Sequence, residues 1–526
     1  MNNLTNNKNH NNTPKHFLFI VIEYVLVFFL SYCIIRYFNR DVVIKALHLD
    51  DLHNLIEYMR EPVLINWILK YYETAMHYRP VFYVGLFSYF ALIGTKISRV
   101  LSINFVLCSI LATGVYYLSR KLKIHRFLAL LIVVLFSTIN FLYYEIYQLI
   151  GFIEGYSMLF SLVILVLSIK ISYADEVYFK RYSKLCLVFY LLLVFLHERY
   201  FPMLLLPLIA TKVNKLVDKK DKRVFNILYY AELVFFFAIR YYHLRIIIPR
   251  GTDCTSLVDN FDLIRSFKFM YHQLMYLFGV NLGPEYLCGI DFVNTNENIK
   301  IVIGISAIIV LTIVGMYIYF KTKNKKITDD KNEPTTKDNN EFDIKHIDLF
   351  FVLYIYLCIL QSSLTIRVEL RWLLASFVGL IIYLSHMLMY ISIELGSNSS
   401  NRYKRNLVFV IFLLFFSTRI VMNIYFKNNR EKLFIINEQI VVNSLYENTV
   451  EKYGIEDIKN RTIYIATDYY RTIKPEELTH FFDQYDRIIS DRQIIYLGTD
   501  FDNIDTDAKN KYDIVLNEIG NWKYGS

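Results

Sequence analysis

The chain has 526 residues, of which 55% are hydrophobic, 17% aromatic and 20% charged. Soluble domains usually contain about 45–50% apolar and about 25% charged residues, so this composition excludes an ordinary soluble protein. Apolar runs of about 20 residues recur along the chain, and each is long enough to cross a bilayer as a helix. The sequence therefore predicts an α-helical polytopic membrane protein.

The formal net charge of +9 does not indicate nucleic-acid binding. Most Lys and Arg residues lie in short loops between apolar runs, where they set the orientation of the spans. Cys254 and Cys288 share one loop and are candidates for a disulfide, whereas the other cysteines are scattered. No spacing of cysteine and histidine indicates a metal site.

The first predicted span covers residues 17–38, and a first outer loop covers residues 39–96. This loop contains "LDDLH", with Asp50 and Asp51, and "HYRP", with Arg79. It also contains "VFYVGLFSYFALIG", which is short and interrupted by glycine. We expect this stretch to form a helix at the membrane interface rather than a span.

The second span is expected at about residues 97–118 and ends in the basic cluster "SRKLKIHR", which marks a cytoplasmic turn. The third and fourth spans are expected at about residues 127–144 and 155–173. The connection between them contains Glu145 and Glu154 but neither Lys nor Arg, so we place it outside.

The apolar run of residues 185–210 is interrupted by His197, Glu198 and Arg199. As one helix of 26 residues it would be about 39 Å long. It would place "TKVNKLVDKKDKR", with six Lys or Arg, outside. It would also bury Glu198 and Arg199 near the midplane, at about 2.5–3.5 kcal/mol each. A hairpin of two short spans that turns at "HERYFP", with Pro202 at the start of the second, avoids both problems.

Alternation then places the remaining spans at about residues 224–248, 301–320, 347–366, 372–393 and 407–426, which makes eleven. They are separated by an outer loop at 249–298, a cytoplasmic loop at 321–346, the outer turn "RVELR" and the basic turn "SNRYKRN". The last hundred residues alternate strand-like runs with a helix-like segment, "KPEELTHFFDQYD". We expect residues 427–526 to form a small extracytoplasmic α/β domain.

In this topology the unusual charges fall on the outer face. They are Asp50, Asp51, Arg79, Glu145, Glu154, His197, Glu198, Arg199, Arg367, Glu369 and Arg371. Ionisable groups at membrane depth indicate a functional site, and groups at one depth favour a one-sided cavity. A carboxylate can deprotonate an acceptor hydroxyl, and an arginine can neutralise a departing phosphate. Sugar transfer from a polyprenyl-phosphate donor needs these parts.

The order of these features resembles the type C (GT-C) membrane glycosyltransferases, which include the protein O-mannosyltransferases and the aminoarabinose transferases. That family has an acidic residue or pair just after the first span, here Asp50 and Asp51. The family's later features are similar to "RPVFYVGLFSYFALIG", "SRKLKIHR" and "HERYFPMLLLPL", and a distal extracytoplasmic domain is typical. The resemblance covers about residues 17–210. The break here reads His-Glu-Arg, without the lysine of the family.

The resemblance implies an inverting transferase in which Asp51, or else Asp50, is the general base. The candidate substrate-binding residues are Arg79, Glu145, Glu154, His197, Glu198, Arg199, Arg367 and Arg371. Simpler interpretations stay open: a solvated acidic pair that caps a loop helix, an ion pair that holds the hairpin turn, and ordinary loop acids.

The implied partners are the bilayer, a polyprenyl-phosphate sugar and a glycan, lipid or protein acceptor, without nucleic acid. No cofactor is indicated, and a divalent metal is left open. We expect a multi-pass protein of the cytoplasmic membrane, with its N-terminal tail (residues 1–16) inside and its C-terminus outside. The alternatives are a flippase or transporter, which predicts internal repeats and central charges, and a glycan polymerase or ligase, which the loop 249–298 favours.

Overall fold

The computed structural model describes most of the membrane-embedded part of the chain and short pieces of the C-terminal part. The described residues are 14–74, 77–94, 96–247, 261–282, 292–330, 346–365, 368–396, 402–430, 433–454, 463–465, 481–485, 494–496 and 514–516. Seven described helices are long and apolar enough to cross a membrane, or eight if one bent pair counts as a span. The chain is therefore a helical, multi-pass membrane protein.

The described residues form five short 3-10 turns and 17 α-helices. In chain order they are α1 (Pro14–Phe38), α2 (Leu49–Arg60), α3 (Leu64–Thr74), α4 (Pro80–Ile93), α5 (Arg99–Lys121), α6 (Arg126–Thr138), α7 (Tyr143–Tyr147), α8 (Phe152–Ile171), α9 (Glu176–Leu196), α10 (Leu205–Val213), α11 (Lys219–Leu244), α12 (Leu263–Leu277), α13 (Glu297–Asp330), α14 (Ile347–Ser363), α15 (Leu374–Gly396), α16 (Arg402–Lys427) and α17 (Phe434–Tyr453). The 3-10 turns are Asn140–Leu142, Leu149–Gly151, Glu198–Leu204, Leu370–Leu373 and Asp483–Tyr485.

The seven long apolar helices correspond to seven of the predicted spans. They are Leu18–Phe38, Arg99–Lys121, Leu149–Ile171, Lys219–Leu244, Glu297–Lys323, Leu370–Leu395 and Val408–Lys427. The stretch predicted to be an interfacial helix is α4, a short apolar helix. The span predicted at 347–366 is the shorter helix α14.

The third predicted span is not a straight helix. Residues 126–138 and 140–147 form two segments that meet at 56°. The break falls at Ile139, whose backbone is extended, with φ −73° and ψ 141°. The bend turns α7 across the end of the bundle, so that Glu145 lies in the protein interior.

The apolar run that contains His197 folds as a reversal. The side-chain amide of Asn214, just after α10, donates to the carbonyls of Ile171 and Ala174 at 2.6 and 2.9 Å. Ala174 lies in the turn that leads into α9, so α10 ends beside the point where α9 begins. The arms are unequal, with 21 residues in α9 and 9 in α10, so the first arm is longer than the short span predicted. The reason is that α9 begins early, where the Asp175 carboxylate accepts the Tyr178 N–H at 3.0 Å.

The described C-terminal residues include α17 and three strands: β1 (Ile463–Ile465), β2 (Ile494–Tyr496) and β3 (Ile514–Leu516). The strands are parallel, in the order β2-β1-β3. Most of the segment predicted to be helical, "KPEELTHFFDQYD", lies outside the described residues, and its described end belongs to a 3-10 turn. A separate α/β domain at residues 427–526 stays a prediction.

The described residues form two apolar cores. The larger core lies among the long helices. The smaller core joins α2 and α4 to the C-terminal part, through residues such as Leu52, Phe90, Val442 and Phe481. The helix that carries the acidic pair, α2, therefore packs on an apolar core to which the C-terminal part of the chain contributes.

Candidate active site at one end of the helix bundle

Charged side chains from distant parts of the chain meet at one end of the bundle. Here α8 begins, while α9, α11 and α14 end, and we call this the charged end. Glu154 lies in the first turn of α8, and Glu198 directly follows the last helical turn of α9. Arg240 lies near the end of α11, and Arg371 lies in the 3-10 turn between α14 and α15.

Glu198 is the centre of the first group of contacts, and only 2% of it is exposed. Its Oε1 atom lies 2.6 Å from His77 Nδ1 and 3.5 Å from Arg79 Nη2. Its Oε2 atom pairs with the buried guanidinium of Arg240. We call His77, Arg79, Glu198 and Arg240 the Glu198 cluster. It joins the segment between α3 and α4, the hairpin turn and α11.

Glu154 is the centre of a second group. Its Oε2 atom accepts a hydrogen bond from Arg199 Nη2 at 2.6 Å, and its Oε1 atom lies 3.6 Å from His197 Nε2. Arg371 Nε lies 4.0 Å from Glu154 Oε1 and 2.5 Å from Glu369 Oε2. We call Glu154, His197, Arg199, Glu369 and Arg371 the Glu154 cluster.

Aromatic rings orient two of these guanidinium groups. Arg199 lies over Trp372 and Tyr200, at 4.9 and 5.4 Å from the ring centroids. Arg371 lies over Tyr144 at 3.9 Å. Stacking of a guanidinium on an aromatic face is attractive and leaves the edge of its plane for hydrogen bonds. The rings therefore hold the arginines without neutralising them.

The two clusters together carry four guanidinium groups (Arg79, Arg199, Arg240 and Arg371) and three carboxylates (Glu154, Glu198 and Glu369). Counting neither histidine, one positive charge is in excess. The buried Nε atoms of Arg79 and Arg199 have no hydrogen-bond partner among the described residues. Arg79 also interacts electrostatically with Glu154. Spare donors and excess positive charge are what a phosphate group requires.

Both carboxylate oxygens of Asp51 are engaged in hydrogen bonds with the backbone. Its Oδ2 atom accepts the Leu149 N–H at 2.7 Å, and its Oδ1 atom accepts the Ile150 N–H at 3.0 Å. Burial raises the pKa of the Asp51 carboxyl to about 7, although the two backbone hydrogen bonds lower it. Asp51 therefore caps the 3-10 turn that leads into α8.

Asp50 has a different environment. It precedes Asp51 in the first turn of α2, and its side chain is exposed. Both acids interact electrostatically with Tyr144, whose ring lies beneath Arg371. The acidic pair therefore neighbours the Glu154 cluster, and Asp50 is the member that solvent or a substrate can reach.

The other predicted site residues have mixed placements. Glu145 is buried in α7, and neither of its oxygens has a hydrogen-bond partner among the described residues. It packs against Gly155, where an added Cβ would meet Glu145 Cγ at 3.3 Å. Arg367 lies outside the described residues.

Four residues of the site were not predicted from the sequence: His77, Arg240, Tyr144 and Trp372. A signal for Arg240 was available, because it interrupts the apolar run "LVFFFAIRYYHL" within a predicted span. His77 lies two residues before Arg79 in "HYRP" and had no signal of its own. Tyr144 and Trp372 resemble the many other aromatic residues of the chain.

No group of three or more His, Cys, Asp or Glu side chains is arranged to hold a metal ion within the described part of the chain. Cys254 and Cys288, the candidate disulfide pair, lie outside that part.

Comparison with models of known protein families finds no match on this chain. Comparison with curated protein sequences also finds no match. The functional conclusion therefore depends on the geometry of the charged end and on the order of the sequence motifs.

Proposed function

We propose that this chain is a membrane glycosyltransferase. It transfers a sugar from a polyprenyl-phosphate-linked donor to a glycan, lipid or protein acceptor, with inversion at the anomeric carbon. The observation that carries the proposal is the charged site at one end of the bundle. There, four guanidinium groups, one buried and three partly exposed, outnumber three carboxylates, and the exposed carboxylate of Asp50 lies close by.

The donor phosphate fits the side of this site formed by Arg79, Arg199 and Arg371. As the bond between the anomeric carbon and the phosphate oxygen breaks, that oxygen gains negative charge. Guanidinium groups that are already fixed in place stabilise this charge without reorganisation. The polyprenyl chain would lie along the exposed apolar side chains of the spanning helices.

Of the two candidate bases, Asp50 is better placed for the chemical step. It would accept the proton of the acceptor hydroxyl while the hydroxyl oxygen attacks the anomeric carbon opposite the leaving phosphate. Asp51 was the first choice from the sequence, but both of its oxygens accept backbone N–H groups. We assign Asp51 the task of fixing α2 against the start of α8.

The proposal includes eleven spans, in the cytoplasmic membrane, with the N-terminus inside and an α/β domain at residues 427–526 outside. The seven long apolar helices, the bent pair at residues 126–147 and the further helices α9, α10 and α14 together make eleven. The opposite end of the bundle carries Lys180, Arg181 and Lys184 at the start of α9 and Lys219 at the start of α11. Basic residues collect on the cytoplasmic side, so the charged end would face outward.

A transporter of lipid-linked sugars is a second candidate, favoured by one observation. Arg419 is buried in α16, eight residues or about 12 Å from its end, between the rings of Phe377 and Phe415. Buried charges within spans are typical of transport pathways. The transferase is better supported, because the clustered charges lie at one end.

Deletion of the gene and analysis of surface glycans and lipids would test the proposed function. Complementation would use the wild-type chain, the Asp50→Ala/Asp51→Ala double variant, and Glu176→Ala as a control at the opposite end. We expect a sugar to be lost on deletion, restored by the wild type and the control, and not restored by the double variant. A normally expressed double variant that restores every missing sugar would contradict the assignment.

A further inference from the structure

The backbone that leads into α2 is held by side-chain amides from the C-terminal part of the chain. Asn443 in α17 contacts this backbone twice: its Oδ1 atom accepts the Lys45 N–H at 2.8 Å, and its Nδ2 atom donates to the Val43 carbonyl at 2.7 Å. Gln439, one turn earlier, donates to the Ala46 carbonyl at 2.9 Å. These bonds supply partners that a neighbouring strand would otherwise provide.

Gln484 continues the same pattern from the 3-10 turn Asp483–Tyr485. Its Oε1 atom accepts the Leu47 N–H at 2.7 Å. The Gln484 side chain is 1% exposed, and Gln439 is 2% exposed. Buried amides with their hydrogen bonds made fix the backbone strongly, because a lost partner would leave a buried group unpaired.

Apolar contacts and one ion pair strengthen this connection. Leu47 and Leu52 lie in the same apolar cluster as Val442, Phe481 and Phe482. Outside this cluster, the Lys45 ammonium pairs with the Glu447 carboxylate of α17. The C-terminal part therefore contacts the segment before α2 through backbone, apolar and charged groups.

Asp50 lies between two fixed points of the chain. Leu47, three residues before it, is bonded to Gln484. Asp51, the next residue, is bonded to the backbone of Leu149 and Ile150. The exposed carboxylate between them has its backbone set from both sides, by the C-terminal part and by the start of α8.

We propose that the C-terminal part of this chain positions Asp50 for sugar transfer, with Gln439, Asn443 and Gln484 as the positioning residues. This inference depends on the proposed function for its chemical consequence. Its structural half, that these amides hold the first turn of α2 in place, can be measured without any activity.

The test uses the full-length protein in detergent or in vesicles and three variants. Gln484→Ala removes the acceptor for the Leu47 N–H and the donor to the Phe481 carbonyl, whereas Gln484→Glu, measured at a pH at which its carboxyl is protonated, keeps both hydrogen bonds. Ser444→Ala is the control, because the Ser444 hydroxyl donates to the Ile440 carbonyl of its own helix. Hydrogen exchange over residues 43–52 reports the positioning, and kcat and KM for a polyprenyl-phosphate sugar report the chemistry.

We expect Gln484→Ala to speed exchange over residues 43–52 by about tenfold or more and to lower kcat by about tenfold or more, with KM within about twofold of the wild type. Gln484→Glu should restore most of both quantities, and Ser444→Ala should match the wild type. If Gln484 only stabilised the fold, the folded Gln484→Ala protein would keep the wild-type kcat. A fall in kcat that Gln484→Glu reverses therefore indicates positioning. If Gln484→Ala does not fold, the more exposed Asn443→Ala replaces it.

Unchanged exchange in the folded Gln484→Ala variant would overturn the inference, as would faster exchange with a wild-type kcat. A wild-type protein that is inactive with every donor contradicts the proposed function instead. In that case, faster exchange in Gln484→Ala that Gln484→Glu reverses still supports the positioning of α2, and unchanged exchange still overturns it.

Discussion

Arg240 of α11 and Glu198 of the hairpin turn form an ion pair in which the side chains are 0% and 2% exposed. The same carboxylate contacts His77 and Arg79 of the segment between α3 and α4. Glu198 therefore joins three separate parts of the chain. These contacts account for an acid in the middle of an apolar run, and they favour a structural role for Glu198 over direct contact with a substrate.

The buried pair leads to a prediction about stability. Arg240→Ala removes the fully buried partner of the Glu198 carboxylate and leaves it with His77 and Arg79. Removal of one member of a buried pair costs up to about 3–5 kcal/mol. We expect a clear fall in the melting temperature of the solubilised protein. Lys180→Ala, which breaks exposed pairs with Glu176 and Asp221, is the control and should leave the melting temperature close to that of the wild type, because exposed pairs contribute little. Equal melting temperatures for the two variants would contradict this role of Arg240.

Arg371 should act on the reaction rather than on folding. Arg371→Ala removes a guanidinium that is stacked 3.9 Å above Tyr144 and faces the proposed phosphate site. Loss of one such charge-stabilising group typically lowers kcat by about 10²–10³-fold. Arg371→Lys keeps the charge without the planar fork and should recover only part of the rate.

The matched control for Arg371 is Arg126→Ala, because Arg126 is a half-exposed arginine that pairs with Glu23 away from the charged end. Initial rates of sugar transfer in vesicles provide the comparison. A rate for Arg371→Ala equal to that of the control would remove Arg371 from the site.

The titration of the Asp51 carboxyl should make the stability of the folded protein depend on pH. Burial raises the pKa of its carboxyl from 3.8 to about 7, so the folded protein binds the proton more tightly than the unfolded chain does. The contribution of this carboxyl to the stability of the folded protein is fully present below about pH 4 and is lost as the pH rises through about 7. Asp51→Asn removes the titration, so the melting temperature of the wild type should fall relative to that of the variant between these values. A constant difference across this range would show that Asp51 does not titrate as proposed.

The orientation of the bundle can be tested with an impermeant thiol reagent on intact cells. Asp50 and Lys219 are both exposed and lie toward opposite ends of the bundle. In a background without Cys33, Cys254 and Cys288, Asp50→Cys should react from outside. Lys219→Cys should react only after the cells are permeabilised. Labelling of Lys219→Cys in intact cells would reverse the proposed orientation.

Much of the membrane architecture was predictable, because spans and loop charges are local features. Hydrophobic length located the long helices, and the six basic residues of "TKVNKLVDKKDKR" indicated the reversal at "HERYFP". The structure contains that reversal, with Asn214 bonded to Ala174. The bend at Ile139 was not predicted, because neither proline nor glycine marks it.

The contacts within the site were less predictable, because they join residues that are far apart in sequence. Arg79, Glu198 and Arg240 come from three elements, and no local pattern pairs them. Gln484 and Leu47 are 437 residues apart. Sequence position also could not separate Asp50 from Asp51, since one helical step decides which carboxylate faces the start of α8.

Sugar transfer by the purified protein in vesicles, with polyprenyl-phosphate-linked sugars as donors, tests the central claim most directly. The comparison is between the wild type, Asp50→Asn and Asp51→Asn, with donor binding measured alongside. We predict that Asp50→Asn lowers kcat by about 10²-fold or more while donor binding is kept, and that Asp51→Asn retains more activity. Transfer by Asp50→Asn at the wild-type rate, or no transfer by the wild type with any such donor, would contradict the account.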